Sequence, residues 1–246
     1  MLPLFDVNGL MFWDERSILL RRFFIDYYKL SVKNALFEMN PAWQFYEIEA
    51  PLLTPNAKIN QNYTNLDVWQ QAVLETETPL TLRPETTPSS YVYAEHLLNS
   101  HSGVKPPFVV WQSGKSFRRE QEQPSKHMRL KEFYQQEFQC IYTTETENDY
   151  HSNILEPVRR MIAETIGLPT RIIPSDRLPD YSLITMDIEV DNGDKWMEVC
   201  SISKRKDFPA KAKFQTKKGL VEKDLLVLEV AIGLDRCVYN FNQRVI

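Results

Sequence analysis

Apolar residues recur at helical spacing in the first forty residues of the chain. Between Asp14 and Met39 they are Ile18, Leu19, Phe23, Tyr27, Leu30 and Leu36. The pattern stops before Pro41, a residue type that cannot continue a helix. It therefore predicts one long amphipathic helix that needs a hydrophobic surface to lie on.

Shorter apolar runs, separated by prolines and polar connections, predict strands further along. We expect strands at 43–48, 108–120, 129–142, 171–173, 182–190, 195–201 and 225–232, and helices at 88–99, at 148–167 and after 232. The pair 108–120 and 129–142 is typical of an antiparallel hairpin with a long loop. Because the helices stand between groups of strands without regular alternation, we expect an α+β fold, a mainly antiparallel sheet flanked by helices, in one domain over 1–246.

Composition narrows the function classes. The 246 residues are 43% hydrophobic, contain no run long enough for a membrane span and have no leader-like N-terminus, so we expect a cytoplasmic protein. Three widely spaced cysteines disfavour a disulfide framework or structural zinc. A net charge of -4 disfavours a protein that mainly coats nucleic acid. The basic stretch Lys204 to Lys218 is either a solvated loop or a local anion-binding patch.

The predicted hairpin carries a pattern of charged and aromatic residues on both sides of its loop. They are Phe117, Arg118, Glu120, Arg129, Phe133 and Glu137. The pattern resembles motif 2 of the class II aminoacyl-tRNA synthetases, F-R-x-E, a loop, then R-x-x-x-F-x-x-x-D/E. The resemblance implies that Arg118 bridges an amino-acid carboxylate and the α-phosphate of ATP, that Arg129 reaches the γ-phosphate, and that Phe133 and Glu120 hold the adenine.

Two further segments resemble the other motifs of that class, in the same order. Gly233 to Arg236 matches the end of motif 3, which implies that Arg236 stacks on the adenine opposite Phe133. The helix from Asp14, followed by a strand and Pro51, resembles motif 1. In this class motif 1 forms the two-fold interface, so a homodimer is implied.

The segment EVCS resembles the E-x-x-S segment of the seryl and prolyl enzymes. Glu198 and Ser201 would there hold Mg²⁺ between the phosphates, as hard oxygens for a hard ion. An exposed acidic residue on a strand is the plainer interpretation of Glu198.

The amino-acid pocket is suggested by a third resemblance. TLRPETTP is similar to the LRPET of glycyl enzymes, which implies that Glu85 receives the substrate ammonium and that Arg83 and Thr81 shape the same wall. Glu229 stands where those enzymes carry E-P-S, although Val230 and Ala231 replace the Pro and Ser. Glu137 is a third acidic candidate for this pocket.

The combined resemblance implies ATP-dependent activation of a small amino acid, glycine before serine or alanine, with ATP and Mg²⁺ as cofactors. Only ten residues follow Arg236, so we expect no anticodon-binding domain. The activated amino acid would then pass to a tRNA acceptor end or to a non-tRNA acceptor. The alternative is a catalytically inactive synthetase-like regulatory or accessory subunit, a class that tends to lose the motif 2 and motif 3 arginines present here.

Overall fold

The computed structural model describes residues 5–7, 10–55, 73–74, 80–100, 104–118, 128–144, 149–176, 180–217 and 219–243. The helices are α1 Glu15–Met39, α2 Thr87–Ser100, α3 Tyr150–Ile166 and α4 Leu234–Gln243. The strands are β1 Phe5–Val7, β2 Leu10–Phe12, β3 Gln44–Glu47, β4 Leu53–Pro55, β5 Val73–Leu74, β6 Leu80–Leu82, β7 Phe108–Phe117, β8 Glu132–Thr143, β9 Thr170–Pro174, β10 Ser182–Asp191, β11 Trp196–Arg205, β12 Ala212–Thr216, β13 Gly219–Lys223 and β14 Leu225–Gly233.

Seven of these strands form the central sheet, in the order β3-β7-β8-β14-β11-β10-β9. Strand β3 pairs parallel to β7, and the other five neighbouring pairs are antiparallel. The predicted α+β fold with a mainly antiparallel sheet is therefore confirmed. Among the described helices, none is long and apolar enough to cross a membrane.

Helix α1 begins where the sequence predicts it. Asp14 is its N-cap, and the Asp14 side chain accepts a hydrogen bond of 2.8 Å from the backbone N–H of Ser17. Phe24, Tyr28 and Val32 are buried on one side of the helix, in the main core. Helices α3 and α4 contribute Ile154 and Val238 to the same core, so α1, α3 and α4 cover one face of the sheet.

The other face of the sheet is only partly covered. Helix α2 packs Tyr91, Ala94 and Leu97 against Phe108 and Val110 of β7. The residues after β11 close the same cluster with Phe208 and Ala212. The rest of this face carries polar and charged side chains.

Strands β4, β5 and β6 form a small separate sheet, and β12 pairs with β13. The sequence patterns did not predict either of these. Strand β12 lies within the stretch Lys204 to Lys218, for which a solvated loop was one of the two interpretations. Lys211, just before β12, is ion-paired with Asp224 at 2.9 Å, and Lys213 within β12 is ion-paired with Glu222 of β13 at 3.9 Å.

Hydrogen bonds from the Arg83 side chain connect the segment after β6 to the central sheet. Its Nε donates to the Lys115 carbonyl oxygen at 2.9 Å, and its Nη1 donates to the Ala50 carbonyl oxygen at 3.1 Å and to Gln112 Oε1 at 3.0 Å. The guanidinium crosses β7 at Gly114, where a Cβ would lie 2.3 Å from Arg83 Nη2. Glycine is therefore the one residue type that leaves room for this buried side chain.

We predict that Gly114→Ala destabilises the fold by about 1–3 kcal/mol, the usual cost of forcing an extra methyl group into a packed site. The Arg83 guanidinium is held by several acceptors and cannot move aside without losing them. Chemical denaturation followed by circular dichroism would measure the loss. Gly233→Ala is the control, since the nearest atom to its Cβ is the Val199 carbonyl oxygen at an ordinary 3.5 Å. Equal stability of the two variants would contradict the packing described for Arg83.

Candidate functional site

Polar side chains line the face of the sheet that α1, α3 and α4 do not cover. Residues paired directly across neighbouring strands share a face, and two such rows cross the sheet. One row contains Gln112, Glu137, Ala231, Ser201 and Asp187, and the next contains Val110, Gln139, Glu229, Ser203 and Thr185. Period-two alternation therefore separates a polar face from an apolar one on the same strands.

Arg205 is the centre of this polar face. Its side chain is 0% exposed, and its Nη1 donates to Glu229 Oε2 at 2.5 Å. Its Nε and Nη2 donate to the two carboxylate oxygens of Asp207 at 3.0 and 2.7 Å. The rings of Tyr91 and Tyr181 lie 5.5 and 4.0 Å from the guanidinium carbon. Burial works to lower the pKa of Arg205, but the charge of Glu229 and the bonds to Asp207 raise it well above its usual value.

Glu137 lies beside Glu229 and is bonded to neutral donors. Its Oε2 accepts from the hydroxyls of Thr86 and Thr87, and its Oε1 accepts from Gln135 Nε2 at 2.6 Å. Thr87 Oγ1 also lies 3.0 Å from Glu229 Oε2, so its single hydroxyl proton is shared between the two carboxyl groups. Burial and the charge of Glu229 raise the pKa of Glu137 to about 7.

Glu85 joins the same cluster from the segment between β6 and α2. Arg205 Nη1 lies 3.8 Å from Glu85 Oε1, beyond hydrogen-bonding distance, and this buried oxygen accepts no hydrogen bond from any described residue. Burial raises the pKa of Glu85 to about 8, against the attraction of Arg205 and with the repulsion of Glu137 and Glu229. The three carboxyl groups that the sequence suggested for one pocket do lie together.

Arg118 lies between this cluster and the loop end of the hairpin. Its Nε donates to the Pro84 carbonyl oxygen at 3.2 Å, and its guanidinium carbon lies 5.1 Å from the centre of the Phe133 ring. Its positive charge acts to lower the pKa of both Glu85 and Glu137. Arg129 is half-buried just before β8, whereas Glu120 lies outside the described residues.

Arg236 lies in the first turn of α4. Its Nη1 donates to the Glu198 carbonyl oxygen at 2.8 Å, and its Nε donates to the Met128 carbonyl oxygen at 3.4 Å. Met128 and Leu130 pack against Phe133, so Arg236 and Phe133 border the same short segment.

The neighbouring Asp235 fixes this helix start. Its two carboxylate oxygens accept from Arg21 Nη1 of α1 at 3.0 Å and from the Tyr134 backbone N–H at 2.8 Å. Burial raises the pKa of Asp235 to about 6. The long first helix therefore helps to position Arg236 through a buried ion pair.

A β-bulge decides the orientation of Glu198 and Ser201. Side chains three residues apart on a regular strand point to opposite faces. Here the register shifts, so that Glu198 pairs with Glu189 while Cys200 pairs with Ile188, and Val199 is the extra residue. Glu198 and Ser201 therefore share the polar face, and Ser201 pairs directly with Asp187. Burial and the charge of Glu198 raise the pKa of Asp187, whose Oδ1 is buried without a hydrogen-bond partner among the described residues.

Sequence reasoning missed several members of the polar face. They are Thr86, Gln112, Gln139, Asp187, Ser203 and Arg205. A signal for some of them was present, because Glu137 and Gln139 alternate with Phe138 and Cys140 along β8. Arg205 was hidden in the basic stretch Lys204 to Lys218, and considering all of that stretch as a solvated loop was wrong for this residue, since β11 continues to Arg205 and buries it.

The sequence matches one protein family and is similar to several curated proteins. Residues 72–241 match the family described as the tRNA synthetase class II core domain (G, H, P, S and T). The chain is similar to the glycine–tRNA ligase of Mycoplasma capricolum subsp. capricolum, 32% identical over 165 residues that cover 65% of this chain and 35% of that protein. It is also similar to the glycine–tRNA ligase of Cutibacterium acnes, 33% identical over 52% of this chain and 28% of that protein. The chain thus spans about a third of the length of these relatives.

Among solved structures, the fold is similar to prolyl-tRNA synthetase from Cryptosporidium parvum complexed with halofuginone and AMPPNP. The TM-score is 0.74 at 14% sequence identity, over 97% of this chain and 48% of that chain. The complex of the same enzyme with L-proline and AMP gives a TM-score of 0.73 at 15% identity. At these identities the similarity concerns the fold.

We predict that Arg205→Met destabilises the protein by roughly 3–5 kcal/mol, because it leaves the buried carboxylates of Glu229 and Asp207 without their cation. Adding Glu229→Gln should restore part of the loss by removing one stranded charge. Denaturant unfolding would measure both. Arg171→Met is the control, since the Arg171 side chain is 44% exposed in its ion pair with Glu189, and its loss should cost roughly 0–1 kcal/mol. A loss below that of the control would contradict the central role of Arg205.

Proposed function

Since the chain belongs to the tRNA synthetase class II core family, we propose that it activates a small amino acid, glycine first, with ATP. The product would be the aminoacyl-adenylate, which then passes to a tRNA acceptor end. The similarity to two glycine–tRNA ligases supports glycine. The three carboxyl groups of Glu85, Glu137 and Glu229 support it further, because they suit an ammonium group.

The observation that carries this proposal is the position of Arg118. The guanidinium lies over Phe133 and also acts electrostatically on Glu85 and Glu137. An amino acid whose ammonium bound these carboxyls would have its own carboxylate near Arg118. A nucleotide base on Phe133 would bring its α-phosphate to the same guanidinium.

The proposed reaction needs positioning and positive charge. A carboxylate oxygen of the amino acid attacks the α-phosphorus of ATP, a mixed anhydride forms, and the bond to the pyrophosphate oxygen breaks. Arg118 would hold the two reacting anions together, and Arg129 and Arg236 would neutralise charge on the phosphates that leave. Arg83 would act indirectly, since its donors are used by the backbone carbonyls that fix the Glu85 segment.

A divalent metal ion fits the polar face at β11. Glu198 has an exposed carboxylate, Ser201 shares its face through the bulge, and both offer the hard oxygens that Mg²⁺ prefers. When bound, Mg²⁺ would supply positive charge to the phosphates. The described residues contain no cluster of three or more His, Cys, Asp or Glu side chains suited to a metal, so the phosphates would provide other ligands.

We expect ATP–pyrophosphate exchange that depends on glycine, with serine and alanine as weaker substrates and bulky amino acids rejected. One extra methylene is discriminated by only about 1–3 kcal/mol, so alanine should compete measurably. Arg118→Ala should lower the exchange rate by roughly 10²–10³-fold, the cost of removing one preorganised charge partner. Arg159→Ala on α3, under the opposite face of the sheet, is the matched control.

An unchanged exchange rate in Arg118→Ala would refute the role of this arginine. A folded wild-type protein without exchange for any amino acid would instead favour an inactive synthetase-like subunit. Preference for a large side chain would refute the pocket.

We further propose a homodimer through α1. Beside its buried side, this helix exposes a second apolar stripe, Leu19, Phe23, Leu30 and Phe37, spaced by four and seven residues. A stripe of this kind on a monomer would remain in water, which favours a partner surface.

We expect the protein to scatter light as a dimer at micromolar concentration. The double variant Phe23→Glu/Leu30→Glu should be monomeric, because it places charge in the middle of the stripe. Leu220→Glu on β13 is the control, as it replaces an equally exposed apolar residue far along the chain from the stripe. A monomeric wild type would contradict this interface.

A further inference from the structure

The carboxyl groups of the candidate amino-acid pocket outnumber the cations available to them. Glu85, Glu137 and Glu229 are all buried. Arg205 is the cation within this group, and its three donor nitrogens point to Asp207 and Glu229. Its Nη1 also lies 3.8 Å from Glu85 Oε1, so one guanidinium is shared among three carboxyl groups, and none of its hydrogen bonds reaches Glu85 or Glu137.

Arg83 and Arg118 add positive charge beside the cluster, so four carboxyl groups, with Asp207 included, face three guanidinium groups among the described residues. Arg83 donates to backbone carbonyls and to Gln112, and Arg118 donates to the Pro84 carbonyl oxygen. Tyr91 from α2 and Tyr181 before β10 face the cluster as neutral phenols, because burial raises the pKa of each hydroxyl.

The two remaining carboxyls are stabilised by different means. Glu137 accepts hydrogen bonds from Thr86, Thr87 and Gln135, which favour its ionised form but carry no charge. Glu85 has a buried oxygen that no described donor reaches. Two buried carboxyls in mutual repulsion cannot both ionise at neutral pH, so they titrate as a pair.

We propose that Glu85 and Glu137 share one proton in the free protein, and that the ammonium group of the amino acid replaces this proton when it binds. This inference rests on the proposed function for the identity of its ligand. No bond to carbon changes: the carboxylic acid gives its proton to water or buffer, and the incoming ammonium group supplies the positive charge in its place.

The direction of the pH dependence follows from the protonation states. The pKa of Glu85 is raised to about 8 and that of Glu137 to about 7, so the pair holds its proton at neutral pH. Below this range the ligand must displace a proton, and its affinity should rise by about tenfold per pH unit. Above pH 8 the pair is already ionised, and the affinity should level off.

The first measurement concerns the free protein. With glutamate labelled with ¹³C at the side-chain carboxyl, NMR should find a resonance that titrates between pH 6 and 8.5. Glu85→Gln or Glu137→Gln should remove the resonance of the substituted residue and move the titration of the other carboxyl to lower pH, because one repelling charge is lost while Glu229 remains. Glu222→Gln on the exposed β12–β13 hairpin should leave the titration unchanged. Absence of any carboxyl titrating in this range overturns the proposal, whatever the activity of the protein.

The second measurement is calorimetric titration with glycine at pH 7 in phosphate and in Tris, two buffers with different ionisation enthalpies. The difference in heat should correspond to release of about one proton per glycine bound. At pH 9 the release should approach zero, and in Glu85→Gln it should be lost at pH 7. Methylammonium serves as a second probe that carries the ammonium group alone.

The outcomes separate this inference from the proposed function. Glycine-dependent pyrophosphate exchange with glycine binding that releases no proton would overturn the proton exchange and leave amino-acid activation in place. Proton release by methylammonium or glycine without exchange activity would support the inference and count against the activity. Failure of both probes to displace the proton overturns the inference.

Discussion

The arrangement of the polar face depends on one buried guanidinium. Arg205 has no exposed surface, and a charge in that position requires partners in good geometry. Asp207, two residues further along the chain, accepts hydrogen bonds from two of the Arg205 nitrogens. Glu229, on the adjacent strand β14, accepts from the third. Because Thr87 and Gln139 then donate to Glu229, the ion pair also orients the start of α2 and the middle of β8.

A second constraint is the register of β11. The bulge at Val199 allows Glu198 to join Ser201 on the polar face while Cys200 and Ile202 remain in the core. One extra residue thus resolves a conflict between the spacing of two polar side chains and the period of a strand. The same strand, two pairs further on, carries Ser203 and Arg205 into the carboxylate cluster. Because of this bulge, one strand contributes both Glu198 and Ser201 and the residues beside the carboxylate cluster to the same polar face.

Much of this architecture could be predicted because it depends on local patterns. The helix capped by Asp14, the hairpin and the helix capped by Gly167 all follow from periodicity, caps and turn residues. Gly167 adopts the left-handed φ of 72° that glycine tolerates. Spacing alone did not reveal the bulge, since EVCS is compatible with a regular strand. Nor did it reveal that Gly114 makes room for Arg83, which lies thirty-one residues earlier in the chain. Such features depend on contacts between distant segments.

The buried carboxyls also set a balance between stability and binding. A carboxyl group whose pKa is raised by folding contributes stability when it is protonated, and this contribution is lost as the pH rises through the raised value. For Glu85 and Glu137 that loss begins near the usual carboxyl pKa of 4.5 and is complete above about pH 8 and about pH 7, respectively. The excess negative charge that destabilises the folded protein in this range also attracts a cation into the cluster. A pocket filled with apolar side chains would make the fold more stable, but it would leave an ammonium group no reason to enter.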